Sequence, residues 1–433
     1  MPKPGPSLPS RVDLVVVGAG TAGAALAGRA AAGGLTVLCL DRGALDGAGA
    51  RWVNGVAEEA FVDAGVPLPS GDELRGTDAG FHMVAGWGPE RMVMRGHGVL
   101  EVDMRRLVAR LQDRGQEAGA TFVGDVEVRS VEGTEVRTSA GVVRAQTVVD
   151  ASGLAGLHLL DSPPTPPGDI CAAAQAVFAV DDPAGAAAFL DEHEVAEGET
   201  LCFTGVAGGY SILNVSVHSD EVSLLTGSIP ADGHPSGRAL LERFVAEQSW
   251  IGTRRFGGHR AIPLGRPHDV IAAGNHALLG DAARQVFSAH GSGIGAGMVA
   301  AGILADALID GTGPEAYAVT WMRRYGGLFA AYDSFRRFSQ GLGLEELRRL
   351  FRAGVLDPET AAAGLGQRLP TPDVASALGT LRGLARVGAV AAPLTAAGAR
   401  MAALMPLYAA YPRSAVGRRR WARAVGVIHG GPP

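Results

Sequence analysis

The stretch "VDLVVVGAGTAGAALAGRAAAGGLTVLCLDRG", beginning at Val12, constrains this chain more than any other. The β-branched run at 15–17 predicts a buried strand, and the alanine-rich segment after the glycines predicts a helix to about Gly33. Residues 36–40 predict a second strand that ends on Asp41. Two parallel strands need such a helical crossover. Gly18, Gly20 and Gly23 form G-x-G-x-x-G at the strand–helix junction, with Ala27 one turn further on. Gly18 permits the tight turn, Gly20 lets the backbone approach a pyrophosphate, and Gly23 allows helix and strand to pack closely. The helix start at Thr21 and Ala22 would then face a diphosphate. Asp41, followed by Arg42, can accept hydrogen bonds from a ribose diol. The pattern specifies a dinucleotide site, and on its own it leaves FAD and NAD equally open.

Composition narrows the classes. The 433 residues are 47% hydrophobic and 19% charged, enough for one large or two to three ordinary domains. A net charge of −6 gives nucleic acid no electrostatic footprint. The 63 glycines follow no collagen-like period and sit among apolar runs, as tight turns and close packing require. Cys39, Cys171 and Cys202 have no metal-ligand spacing, and their odd number argues against a disulfide framework. No metal site is expected, and a reducing, cytoplasmic setting is. The start, "MPKPGPSLPS", lacks the apolar core of a signal peptide, and no run of about 18 apolar residues predicts a membrane span.

Residues 102–119 carry helical spacing at Met104, Leu107 and Leu111. A meander of short strands then ends in "VVDASG", residues 148–153. Residues 169–262 read mainly as strands with one helical interruption, "SGRALLERFVAEQS", and beyond "HALLGDAA" the pattern is helical to the end.

Three segments together resemble a family. The fingerprint, "VVDASG" and "ALLGDAARQV" stand in the order and spacing of FAD-dependent oxidoreductases that include para-hydroxybenzoate hydroxylase-like monooxygenases and geranylgeranyl reductases. "GDAARQV" followed by "GSGI", with "GGYS", "ALLERFV" and "AIPLG", resembles the geranylgeranyl reductase branch most. The resemblance spans roughly residues 12–310. It implies an α/β (α+β overall) chain: a Rossmann-like FAD-binding domain from 8–80, 98–155 and 266–315, an inserted antiparallel β-sheet substrate domain from 81–97 and 156–265, and a C-terminal helical region, 316–433.

It also implies roles. Ala151, Ser152 and Gly153 would line the cofactor. Gly280 would open the turn from which Asp281 accepts a hydrogen bond from the ribityl chain. Gly291, Ser292, Gly293 and Ile294 would start a helix whose N–H groups face the flavin pyrimidine edge, where reduced flavin is anionic. Arg105, beside the place where relatives carry a phosphate-contacting arginine, and Arg51, in a loop that relatives bring to phosphate or flavin, are candidates; an ordinary surface arginine is the alternative for Arg51. Ser288 stands where the family often has proline. "GYSILNV" lacks the aromatic–proline pair of geranylgeranyl reductases, which leaves the substrate open.

In such a family the flavin does the chemistry, either saturating a C=C bond or inserting oxygen, and the protein supplies a dry pocket and protons. His290, His97 and Tyr210 are the candidate acids or bases, with a structural role the alternative for each; His290, inside the flavin loop, would donate near neutral pH. Flavin-dependent halogenases need a lysine and a tryptophan-rich segment. Here Lys3 is the one lysine and no such segment exists. A lycopene cyclase-like, redox-neutral flavoprotein is the alternative from another class. NAD(P)H or another donor is expected to visit transiently, since no second glycine-rich fold is present. Apolar strands such as "ICAAAQAVFAV" suggest a hydrophobic substrate. From Val374 on there is no Asp or Glu, while Arg382, Arg386, Arg400, Arg413, Arg418, Arg419, Arg420 and Arg423 add positive charge. The expectation is a helical cap with solvated arginines or a peripheral membrane contact, with Pro393, Pro406 and Pro412 breaking the segment too often for a span.

Overall fold

The computed structural model describes residues 7–77, 79–157, 159–370 and 383–430. Lys3 and Arg382 lie outside them. Strand Arg11–Val17 lies inside an eight-stranded sheet, between the parallel strands Val37–Leu40 and Gly141–Asp150. Thr121–Val123 pairs beyond the first neighbour and His276–Leu278 beyond the second, both parallel. Its apolar run is continuous because both faces are covered. Leu14 and Val16 pack with the helices Thr21–Ala32 and Ile294–Ile309, and Val15 and Val17 with the strands Glu135–Thr138 and Gly141–Asp150 on the other side.

Register decides where the site forms. Val17 pairs with both Leu40 and Asp150, and Asp150 pairs with Leu278. Four strands therefore end level, and the segments after them leave the same edge together. In open α/β sheets that carboxyl edge is where ligands bind.

The second sheet has seven strands in the order Ile251–Pro263, Ile170–Val180, Glu221–Ser228, Ser211–His218, Thr200–Thr204, Phe81–Ala85, Arg91–Met94. One face packs under the helices Pro183–Glu192 and Gly237–Glu247 through Phe178, Leu213, Leu224 and Phe244. The first of these helices falls where the sequence reads as strand. Asp182 caps it by accepting from the Ala184 N–H (3.1 Å), and Pro183 opens it; this start signal outweighs its short apolar run. A three-stranded sheet, Val53–Ala57, Val99–Asp103 and Leu74–Thr77, stands beside it.

From Gly313 the described residues are mainly helical, and one expectation is corrected there. Ala391–Ala409 is a single helix despite its prolines. Pro393 falls in the first turn, where its missing N–H costs no hydrogen bond, and Pro406 falls in the last. With the preceding turn, Gly388–Ala409 is long and apolar enough to cross a membrane, by length and composition alone. It packs on the helix Gly327–Gln340, burying Leu404 and Tyr408 and leaving most of its surface exposed.

Candidate active site

Gly18 turns the chain at φ +107°, with the Ala151 carbonyl oxygen only 2.3 Å from where a Cβ would stand. At Gly23 a Cβ would fall 1.9 Å from the Gly18 oxygen. Helix Thr21–Ala32 has no side-chain cap and no acid in its first turn, so its positive end is bare. Asp41 accepts from the Ala19 N–H (2.9 Å) and the Gly43 N–H (3.0 Å), one bond per oxygen, and keeps lone pairs for a diol. Arg42 is exposed. Asp150 ties down the 151–153 turn, accepting from the Ser152 N–H (3.0 Å), its hydroxyl (2.6 Å) and the Leu157 N–H (2.6 Å).

The G-D-A-A turn joins this group by contact. A Cβ on Gly280 would stand 3.5 Å from that of Ala22, and one on Gly297 would stand 3.1 Å from it. Gly293 approaches the Asp281 carboxylate, 3.1 Å from its would-be Cβ. Asp281 is half-buried, no hydrogen bond from the described residues reaches its carboxylate, and burial raises its pKa against the pull of Arg260. Helix Ile294–Ile309 also starts without a cap or an acid. The Ser292 hydroxyl and His290 Nε2 are buried without partners among the described residues.

These features fit FAD. An uncapped helix end faces the place for the pyrophosphate and a second one the place for the flavin, and between them stands a carboxylate that lacks a donor. Arg260, which the sequence reading passed over, reaches from the second sheet to the Gly49 carbonyl, and Gly49 touches Gly20. It thus sets a cation beside the glycine loop. Gln112 was also missed: its amide donates to the carbonyls of Ala19 (2.9 Å) and Leu45 (3.1 Å), fixing both walls of the glycine loop.

The two arginine candidates are engaged elsewhere. Arg105 grips Asp103 with two nitrogens (3.0 and 2.6 Å), its carbon 3.4 Å above the Phe256 ring centroid. Arg51 is exposed on the Asp46 carbonyl.

His290 requires a correction. Burial pushes its pKa down to about 4, against nearby backbone carbonyls that raise it. The ring is therefore neutral near pH 7, and the imidazolium proton expected from the sequence is not there to give. His97 bonds the Ala79 carbonyl (2.8 Å). Tyr210 lies against the flavin loop, its hydroxyl 3.4 Å from a Cβ on Gly291, and burial raises its pKa well above the ordinary value.

An elongated cavity of about 280 Å³ opens beside Ala289–Ser292. Its floor is the face of the seven-stranded sheet turned away from the covering helices. Met83, Cys202, Asn214, Leu225 and Gln175 pair in one row across five strands. Their neighbours along each strand point into the opposite core, as a period of two requires. Along the strand Ser211–His218 the lining from Ile212 to Ser216 spans roughly 13 Å at about 3.3 Å per residue, with Tyr210 beyond its near end. At the flavin-loop end stand Tyr210, Cys171, Ile262 and Ala173. At the other end Glu101 accepts from the Thr200 hydroxyl (3.1 Å) and meets His218 Nε2 (3.1 Å), a bond that raises the His218 pKa.

No family model matches the chain. A digeranylgeranylglycerophospholipid reductase of Methanothermobacter thermautotrophicus is 28% identical over 372 residues, 79% of this chain and 91% of the relative. A geranylgeranyl bacteriochlorophyll reductase-like protein of Thermoplasma acidophilum shares the fold with a TM-score of 0.70 at 17% identity, over 90% of this chain and 99% of that one. A probable FAD-dependent monooxygenase of Pseudomonas aeruginosa does so with a TM-score of 0.54 at 19% identity, over 76% and 97%. In motifs, fold and sequence the chain is similar to FAD-dependent oxidoreductases, with a geranylgeranyl-lipid reductase as its sequence relative and geranylgeranyl reductase-like and monooxygenase structures sharing its fold.

Proposed function

We propose that this enzyme uses FAD to saturate a C=C bond in a lipophilic, chain-like molecule of the isoprenoid class. The carrying observation is the elongated, mostly apolar cavity with one end at the 289–292 loop. When bound, reduced FAD supplies a hydride equivalent to one carbon of the double bond. Gly18, Gly20, Gly23 and Asp41 hold the adenosine and diphosphate side, with Arg260 at the phosphates, and Asp281 holds the ribityl chain. The bare N-terminus at Gly293 and Ile294 stabilises negative charge on the flavin ring. The 151–153 turn, pressed against Gly18, would line the same cleft.

The cavity residues exclude water and align the double bond. Tyr210 keeps its hydroxyl proton, because burial disfavours the phenolate, and presents it at the flavin-loop end for the second carbon. Two electrons and one hydrogen from the cofactor, with one proton from Tyr210, balance the reduction, and the tyrosine recovers its proton from solvent. NAD(P)H, or another donor arriving from outside, would reduce the flavin again.

Exposed Arg386, Arg400, Arg413, Arg419, Arg420 and Arg423, with the uncovered apolar helix Ala391–Ala409, support a peripheral contact with anionic lipid on the cytoplasmic side. Arg418 is not part of that face; it is buried on Glu315 at 2.8 Å.

The holoenzyme, reduced without oxygen and given a geranylgeranyl lipid, should return a product two mass units heavier per double bond. Tyr210→Phe should slow it by about 100-fold while keeping its flavin. A product that forms only in air and carries labelled oxygen would make this a monooxygenase, and an isomer of unchanged mass would make it a redox-neutral cyclase; either overturns the reading.

A further inference from the structure

Behind the G-D-A-A turn lies a second polar site that the chemistry at the flavin does not use. Arg284, the residue after the turn, sits at φ +51°, in the left-handed region that a side chain with a Cβ adopts at a cost. Its residue exposure is 1%, and all three guanidinium nitrogens are buried with no hydrogen-bond partner among the described residues. Among the described residues no ion pair reaches it, and the aromatic stacking of Arg105 and Arg324 has no counterpart under its plane.

The groups around it offer donors. Arg266, buried to the same degree, spends its terminal nitrogens on Asp269 and leaves Nε without an acceptor. His268, held neutral by burial and by the two arginines, has Nδ1 free, and the buried Tyr408 hydroxyl lies against the Arg266 guanidinium with its own proton unused. Beyond them Arg336 and Arg337 bind Asp333 and Asp169, while His429 donates to Asp333 at 2.7 Å. Arg266, Arg336 and Arg337 thus each hold an aspartate, and Arg284 beside them holds none. The unmatched charge rests on Arg284. Water would satisfy its hydrogen bonds and leave that charge uncompensated in the interior.

We propose that a small monovalent inorganic anion binds on the guanidinium of Arg284, with Arg266 Nε, the Tyr408 hydroxyl and the N–H tautomer of His268 as further donors. One negative charge pairs with the one guanidinium that holds no carboxylate, so a monovalent ion such as chloride suffices. The backbone N–H of Arg284 donates to the Asp281 carbonyl (3.0 Å), so an anion that anchors Arg284 also steadies the turn that carries Asp281. The site is independent of which reaction the flavin performs.

Bromide tests it on the wild-type holoenzyme. In crystals grown with bromide replacing chloride, an anomalous peak should stand within hydrogen-bond distance of Arg284; ordered water alone there would overturn the proposal. In solution, chloride should raise Tm by on the order of 2–4 °C or more over gluconate at equal ionic strength. Arg284→Met should lose this chloride dependence. Equal Tm in the two salts for the wild type, or an undiminished chloride effect in R284M, would also overturn it. Should R284M fail to fold, the bromide map of the wild type still decides.

Discussion

The two ends of the active site are made of different material. The cofactor end is mostly backbone: turns at Gly18, Gly280 and Gly291, bare helix starts at Gly20 and Gly293, and two carboxylates, Asp41 and Asp281, among them. The cavity is mostly side chain, floored by one face of a seven-stranded sheet whose residues meet through registers spanning from Met83 to Gly227. A backbone site tolerates no added atoms but is blind to most side chains around it. A side-chain site can be retuned one residue at a time. Cofactor and substrate specificity should therefore separate cleanly under mutation.

The largest effect should come from Gly23→Val. Its Cβ would fall 1.9 Å from the Gly18 oxygen, against backbone that cannot retreat, because Gly18 is itself pressed on Ala151. Near-complete loss of bound flavin is expected, read from the absorbance ratio at 450 and 280 nm. Normal flavin content in a folded G23V protein would break the claim that the loop is sterically fixed.

Ala173→Phe tests the other end. This residue lines the cavity in register with Gly227, and a phenyl ring there would fill the space near the flavin loop. A loss in kcat/KM of roughly 100-fold is expected with flavin content unchanged, since displacing a substrate by about 1 Å can cost that much. Should flavin be lost along with activity, the two ends are coupled and the separation fails.

What could be read from the sequence divides along the same line. Glycines that a turn demands are legible one by one, and the strand–helix–strand context around Gly18, Gly20, Gly23 and Asp41 comes from local pattern alone. Gln112 and Arg260 were not legible: each reaches its target across more than 60 residues by an ordinary polar side chain on a regular element. The Glu101–His218 pair, 117 residues apart, exists only because two sheets meet. The helix Pro183–Glu192 was obscured by its alanines, although Asp182 and Pro183 announced it. His290 was legible as part of the loop with a structural role left open, but its pKa was not, because burial lowers it against the opposing carbonyls of Gly364 and Leu365, remote in sequence.

Asp281→Asn comes next in size and has two readouts of opposite sign. With FAD bound, the variant loses a charge-assisted hydrogen bond worth about 1.5–3 kcal/mol, so Kd for FAD should rise by roughly 10- to 100-fold. Without FAD the same carboxylate is a burden. Burial raises its pKa above 3.8, so the folded apoprotein binds a proton that the unfolded chain releases, and stability falls as pH rises through that window. At neutral pH apo D281N should therefore be the more stable protein, by about 1.4 kcal/mol for each unit of displacement, and the difference should vanish on acidification towards pH 3.8.

Whole-protein acid sensitivity runs the other way. Burial pushes the Asp333 carboxyl up, but the hydrogen bond from His429 and the charges of Arg336 and Arg337 outweigh it and hold the pKa well below 3.8. Its stabilisation is present above that value and is lost as pH falls further. Only the difference between wild type and variant, measured by denaturant unfolding of both apoproteins across pH 3 to 7, isolates Asp281 from that background. A D281N apoprotein that is less stable at pH 7, with a gap that does not close in acid, would mean that Asp281 has a protein partner and that its carboxylate is structural, not reserved for the cofactor.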